Sequence, residues 1–519
     1  MVSKKLGLAV AVAIAVLVLF AQLTTATPPN PSISAPLSGA AVSGTVEIEG
    51  TAAGPDFGFY KVEYKAPGST TWVWVDGETH DTPVTDDVLA TWDVTKLPAG
   101  VYALRVLAAD AGGQYNTTQI SVNVNQGATA EGAVQADPNT VVAVPVNGAV
   151  DLNKLAADPA WANAPTTTVK LSGGMNFPNG ETTATIKSVY SGDMIYFLVQ
   201  YDDSTQSFRR SPFVKQADGS WVKLKDPDDK GGDNNKYYED KTAMIWDING
   251  ITGFQQQGCM ATCHVGEPGK AFGNKYAPKE GELGDIWHLK LVRTGPVGQT
   301  DDQYLDATRY DAKTAPEAGR KSDPKTSGGY TDVALKNGVP EFMSQNGPAA
   351  NAGGTYWILN QNKVAFNNNL FNAGDEVASI AIAPFTGDRG DLPTVASWQD
   401  GKWTLAIGRK LFTGSKYDVQ FSDLSKPYYF GLSAFNNAQV RHAYSTSALK
   451  LVFAQAGQKI EQVAAQPGTA AGGPPNIPAN HATSGCLVCH ATGAAGAPKF
   501  PDSHVAFTEN QCTTCHVAK

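Results

Sequence analysis

The sequence predicts a mainly β protein: an immunoglobulin-like β-sandwich, a larger β-sandwich, and a small irregular or helical tail. Three observations predict this class. Apolar residues recur with period two in short runs, Gly and Pro punctuate those runs, and no long stretch of helical period interrupts them. At 519 residues, of which 42% are hydrophobic and 17% charged, the chain is too long for one ordinary core and rich enough in apolar side chains to fill several.

Residues 1–26 read as a signal peptide. Lys4 and Lys5 precede an apolar run from Leu6 to Leu23, and Thr24-Thr25-Ala26 offers a small-residue cleavage site. An uncleaved anchor is the alternative, since the run is about the minimum that spans a bilayer. Either way the chain is expected to be exported, to a periplasm or a cell surface. With a formal charge of −9 and no basic cluster, nucleic acid is not an expected partner.

Residues 28–125 carry the first sandwich, with strand runs at Thr45–Glu49, Tyr60–Tyr64, Thr71–Val75, Tyr102–Leu107 and Gln119–Val124. The segment has no cysteine, so packing alone must hold it. Its plainest role is that of a spacer. Residues 126–139, rich in Ala, Gly and polar side chains, are expected to be a linker. The larger domain, 140–455, includes a hairpin (Thr183–Tyr190 and Met194–Tyr201 around Ser191-Gly192-Asp193) and later runs at Tyr356–Leu359, Ser379–Ala383, Trp403–Ile407, Tyr428–Phe435 and Ala448–Phe453. A second linker spans 456–478, and 479–519 hold four of the six cysteines.

Those cysteines carry the chemistry. They fall into three pairs, each followed at once by a histidine: Cys259/Cys263 with His264, Cys486/Cys489 with His490, and Cys512/Cys515 with His516. Two thiols on one short turn can add to the vinyl groups of a porphyrin while the adjacent imidazole ligates the iron, which is the attachment signature of haem c. Three covalent haems are therefore expected. The first site has three residues between its cysteines, a weaker signal than the two regular ones. Disulfides would make three trailing histidines a coincidence. A zinc ribbon could use the two tail pairs, but it leaves their histidines and the third pair unexplained.

The sixth ligand sets what a haem can do. No methionine follows Met343, so the tail offers His481 and His504, which predicts two bis-histidine irons there without saying which histidine serves which. For the first site the candidates are His288, in the aromatic-flanked run Asp285-Ile286-Trp287-His288-Leu289-Lys290, and His442, in Val440-Arg441-His442-Ala443-Tyr444; His288 is preferred, and Met175, Met194 and Met244 stay open in principle. His80 lies in a polar loop and reads as a surface residue. Irons closed on both faces pass electrons and bind no substrate, so an electron carrier is expected rather than an enzyme. An open iron would instead fit a catalytic reductase.

The acidic loop Asp226-Pro227-Asp228-Asp229, with Asp233 and Asn234, could offer oxygen ligands to calcium, but lacks the spacing of an EF-hand loop and reads better as a solvated loop.

The central domain resembles the haem-binding γ subunits of the ethylbenzene dehydrogenase family, within the type II dimethyl sulfoxide reductase group. The likeness rests on Tyr238-Glu239-Asp240-Lys241, Met244-Ile245-Trp246-Asp247, Gly258-Cys259 to His264, Asp285-Ile286-Trp287-His288 and Asp301-Asp302-Gln303-Tyr304. It implies a β-sandwich that holds a haem and relays electrons to or from a partner, a molybdenum enzyme being one option and other cytochromes another. Those subunits hold a non-covalent haem b, whereas this chain carries thiols at the corresponding place, as c-type relatives do. They also lack the first sandwich and the tail. A haem at the extreme C-terminus could also face a neighbouring copy, which leaves self-assembly open.

Overall fold

A computed structural model describes residues 27–124, 133–229, 232–264, 275–345, 347–455 and 457–463. The expected signal peptide and the tail, with Cys486, Cys489, His490, Cys512, Cys515, His516, His481 and His504, lie outside the described residues. Strands account for 44% of the chain and helices for 8%, which makes the protein mainly β.

The first unit is two sheets face to face. One has the order Ser32–Ala35, Thr45–Ala52, Val84–Asp93; the other runs Ala41–Val42, Tyr115–Val124, Gly100–Asp110, Phe57–Lys65, Val73–Trp74. Alternation sends Ile48, Trp92, Leu104, Val106 and Val122 inward, where they form one apolar cluster. Two elements differ from the sequence reading. The run Thr71–Val75 shrinks to Val73–Trp74, both exposed, and the strand Val84–Asp93 was not anticipated, because its first half is acidic and solvent-facing.

The larger domain is built on one continuous sheet of 13 strands. Its spine is Arg320–Ser322, Asp301–Leu305, Gly284–Lys290, Lys241–Asp247, Tyr428–Phe435, Ala443–Tyr444, Thr167–Ser172, Glu181–Ser191, Met194–Asp202, Lys402–Lys410 and Thr394–Gln399. The expected hairpin forms, with Ser191 paired to Met194 around Gly192-Asp193. Residues from both ends of the sheet, including Phe197, Trp246, Trp287, Trp403, Phe421 and Phe430, share one core, so the sheet folds over itself as a sandwich. Trp246 stacks on Phe430 at 4.4 Å, and Phe197 meets Trp287 edge-on at 5.6 Å.

Parts of both expected linkers are ordered: Val134–Ala136 and Ile460–Gln462 pair in parallel, which ties the two ends of the larger domain together. No helix among the described residues is long and apolar enough to cross a membrane.

A buried cysteine and histidine site

The first cysteine pair sits on a tight turn laid over one face of the larger sheet. A single helical turn, Phe254–Gln257, passes into the 3-10 turn Gly258–Ala261. Gly258 makes the junction with φ +55°, and a Cβ there would meet the Ala448 nitrogen at 3.0 Å, so the turn can lie this close only with glycine. Cys259 O accepts from Thr262 N at 3.1 Å and from Cys263 N at 2.9 Å. The extra residue between the cysteines is thus absorbed in one further step of the same turn. Cys259 packs among Ile245, Ile251, Phe254, Ile286 and Leu305. Gly431 clears the approach beneath it, since a Cβ at 431 would stand 3.2 Å from the Cβ of Cys259.

Both thiols are free of disulfides, and burial pushes the pKa of each upward. Thiols held protonated in this way are poor nucleophiles. A thioether, which does not ionise, escapes that penalty.

His264 closes the turn. Its Nε2 is buried without a hydrogen-bond partner, and burial lowers its pKa to about 4, so the ring is neutral at pH 7. Around it stand Tyr444, with ring centres 4.0 Å apart, and His442, at 5.5 Å with the rings inclined by 65°. His442 donates from Nδ1 to the Val440 carbonyl at 2.7 Å, since a carbonyl can only accept, which leaves Nε2 as the lone-pair nitrogen. Burial and the neighbouring His264 hold its pKa to about 3, although by surface area the residue is only partly buried.

His288 has a different place. It lies in Gly284–Lys290 on the same face of the sheet, but Phe435 stands between it and His442, stacked on His288 at 5.7 Å and tilted against His442 at 4.4 Å. Its Nδ1 is 3.3 Å from Gln303 Oε1, and its Nε2 is buried without a partner. The structure therefore brings His442 beside His264, and leaves the preferred candidate His288 one aromatic ring further away.

A bis-imidazole metal centre needs roughly 6 Å between ring centres, two metal–nitrogen bonds of about 2 Å plus the ring radii. The spacing of His264 and His442 falls just short of this, and Tyr444 lies in the same space. The donor types present, two sulfurs and two imidazoles among apolar side chains, are those that a flat apolar metal-bearing group takes, and the Tyr444 ring fills part of the space between them. Cations rim the site: Lys241, over the Phe435 ring at 3.9 Å and donating to Gln439 O at 2.8 Å, and Lys275, paired with Glu317 at 2.9 Å beside Arg320.

The remaining sequence candidates resolve more simply. His80 stacks on Tyr60 at 4.6 Å and bonds Asp76 at 2.9 Å, a local contact of the first sandwich. In the acidic loop, Asp226 accepts from the amides of Asp228 and Asn235, Asp229 from those of Gly232 and Asp233, and Asp233 pairs with Arg441. The carboxylates of Asp226 and Asp229 thus serve the loop's own backbone.

With this geometry in hand, comparison with known proteins bears on the larger domain. The family model described as ethylbenzene dehydrogenase matches residues 158–447, more than half of the chain. The chain belongs to the ethylbenzene dehydrogenase family. The match takes in the cysteine turn, His288 and His442, and excludes the first sandwich and the tail. No curated protein matches the chain. Among solved structures, an endo-β-1,4-mannanase from Thermotoga petrophila aligns at 16% identity and a TM-score of 0.14, covering 19% of this chain and 20% of its own. Carbohydrate-binding modules of the β-sandwich superfamily align at 9% identity and a TM-score of 0.17, over 57% of this chain and 90% of theirs. Both likenesses are too slight to bear on this ethylbenzene dehydrogenase family member.

Proposed function

We propose that this chain is an exported c-type cytochrome, with three covalently held haems, that relays electrons and does not itself transform a substrate. The observation that carries the reading is the fate of the first motif. Two thiols come together on one turn, and the histidine that follows them is neutral, buried and unpartnered at Nε2, with a second neutral histidine 5.5 Å away. Cys259 and Cys263 would hold the ring edge, and His264 and His442 the iron. When bound there, a haem supplies a one-electron couple with no open coordination position.

The protein's own part is to exclude water, to fix the His442 tautomer through Val440, and to surround the site with Lys241, Lys275 and Arg320. Positive charge nearby disfavours the oxidised, more positive state, but burial lowers the pKa of Lys241 and Lys275, so the rise in midpoint potential depends on how much charge those two keep. Cys486/Cys489/His490 and Cys512/Cys515/His516 would hold the other two haems, with His481 and His504 as their distal ligands. Family membership favours one further reading of the partner: an electron-transfer subunit working with a molybdenum oxidoreductase.

The test uses a chain truncated after residue 463 and matured in a host competent for cytochrome c assembly. It should carry one haem, low-spin. His442→Ala should convert that haem to a high-spin form that binds carbon monoxide when reduced, while His288→Ala leaves the spectrum low-spin. A high-spin, carbon-monoxide-binding wild type would favour a catalytic reductase instead.

A further inference from the structure

On the opposite face of the sheet from the cysteine turn, four aspartates converge in the protein interior. Asp285 lies in Gly284–Lys290, Asp302 in Asp301–Leu305, Asp323 just after Arg320–Ser322, and Asp418 in the connection before Tyr428–Phe435. The first two are set by the pleat: Trp287 pairs with Asp302 and Asp285 with Tyr304, so Asp285, Trp287 and Asp302 share one face. All four are essentially excluded from solvent, at 0%, 0%, 3% and 1% exposure in the order named.

Their hydrogen bonding is half complete. Asp285 Oδ2 accepts from Val419 N at 3.0 Å, Asp302 Oδ1 from Gln303 N at 3.0 Å, and Asp418 Oδ2 from the Thr413 hydroxyl at 2.5 Å. The other oxygen of each, and both oxygens of Asp323, are buried and accept from no backbone amide, while Asp285 faces the Trp287 indole and the carboxyls of Asp323 and Asp391 lie beside those of Asp418 and Asp302, with which they can share a proton. The nearby positive charge is Arg409, which also reaches Asp418 at 3.0 Å and Asp285 at 3.4 Å. Asp391 adds a further carboxylate to the same neighbourhood, with one oxygen buried and unpartnered. Four buried carboxylates, with the half-buried Asp391 beside them, therefore face one guanidinium, and an unpaired buried charge of this kind is costly.

The spacing suggests what balances it. One oxygen from each of Asp285, Asp302 and Asp418 lies within 4.8 Å of the others. Two oxygens bound to the same calcium, at about 2.4 Å each, can be no further apart than about 4.8 Å. So many buried carboxylates must take up either protons or a cation. Asp323 adds to this: it stands outside the trio, is buried beside Asp285 and Asp418, and has no N–H donor for either oxygen.

We infer that Asp285, Asp302 and Asp418 form a buried site for one hard divalent cation, calcium in preference to magnesium, with Asp323 beside it. Calcium accepts irregular, carboxylate-rich shells, whereas magnesium demands near-octahedral geometry and keeps its water. The ion would pin the strands Gly284–Lys290 and Asp301–Leu305 to the 411–421 loop behind the sheet that carries the cysteine turn. This goes beyond the proposed function and holds whether or not the cysteines carry haem.

The test takes the full-length protein, desalts it in calcium-free buffer, and measures bound metal by mass spectrometry and thermal unfolding with calcium chloride, magnesium chloride or EDTA. About one calcium per chain is expected, or a rise in melting temperature with calcium and not with magnesium. Asp302→Asn and Asp418→Asn should each lose that metal or that rise. A wild type with no calcium and no calcium-dependent shift would overturn the inference, and so would equal calcium in wild type and both variants, which would place the ion elsewhere.

Discussion

Asp301 and Asp302 stand side by side in one strand, and the pleat sends them to opposite faces of the sheet, where they meet opposite surroundings. Asp301 faces the histidine side. It pairs with Lys290 and with Arg389 at 2.6 Å, accepts from the Tyr330 hydroxyl at 3.0 Å, and although burial alone would raise its pKa, Lys290 and Arg389 bring it to about 2. Asp302 faces the acidic cluster, and its pKa is driven well above the usual range by burial and by Asp285, Asp418 and Asp323. Two equally buried neighbours thus differ in whether their charge is answered. The comparison shows that burial by itself does not fix the state of a carboxylate in this sheet; the cations on its own face do.

The sharpest way to break that comparison is to neutralise each in turn. Asp301→Asn leaves Lys290 and Arg389 buried without their counter-charge and should cost about 3–5 kcal/mol in chemical denaturation. Asp302→Asn, measured in EDTA, should cost little or stabilise, because it removes repulsion. Equal losses would mean that the two faces are not electrostatically distinct.

A pH series sharpens the same point. A depressed folded-state pKa means that Asp301 contributes stability above the unfolded carboxylate value of about 3.9, and that this is lost as pH falls toward about 2. In Asp301→Asn that part of the acid limb should disappear.

A smaller effect is expected beneath the cysteine turn. Gly431→Ala puts a methyl 3.2 Å from the Cβ of Cys259 and should destabilise by about 1–3 kcal/mol. The shift should be seen in the melting temperature with haem stoichiometry unchanged; a stability equal to wild type would show that the turn is less tightly seated than its contacts imply.

Much of the fold was legible because a half-buried strand writes its burial into alternate residues. Tyr428–Phe435 appears at its expected limits, and the hairpin at Gly192-Asp193 within two residues of them. Where strands carry charge on one side, as in Val84–Asp93, or are too short to alternate, as in Val73–Trp74, the pattern fades. The cysteine turn was legible from spacing, since both thiols and the histidine are local. Which of His288 and His442 stands beside His264 was not, since it depends on Phe435 standing between them and on the loop that returns His442 to His264, and these contacts leave no local period. The acidic cluster did leave a trace: Asp285-Ile-Trp-His-Leu-Lys290 is a strand with ionisable residues on both faces, which forces at least one into the interior.

The claim on which the functional account rests is that porphyrin is joined to this chain through its paired cysteines. A pyridine haemochrome assay combined with intact mass of the full-length protein, matured in a host competent for cytochrome c assembly, counts that joining directly. The account expects three haems per chain, gained in mass and matched in absorbance. A colourless protein at the mass of the bare polypeptide would contradict it.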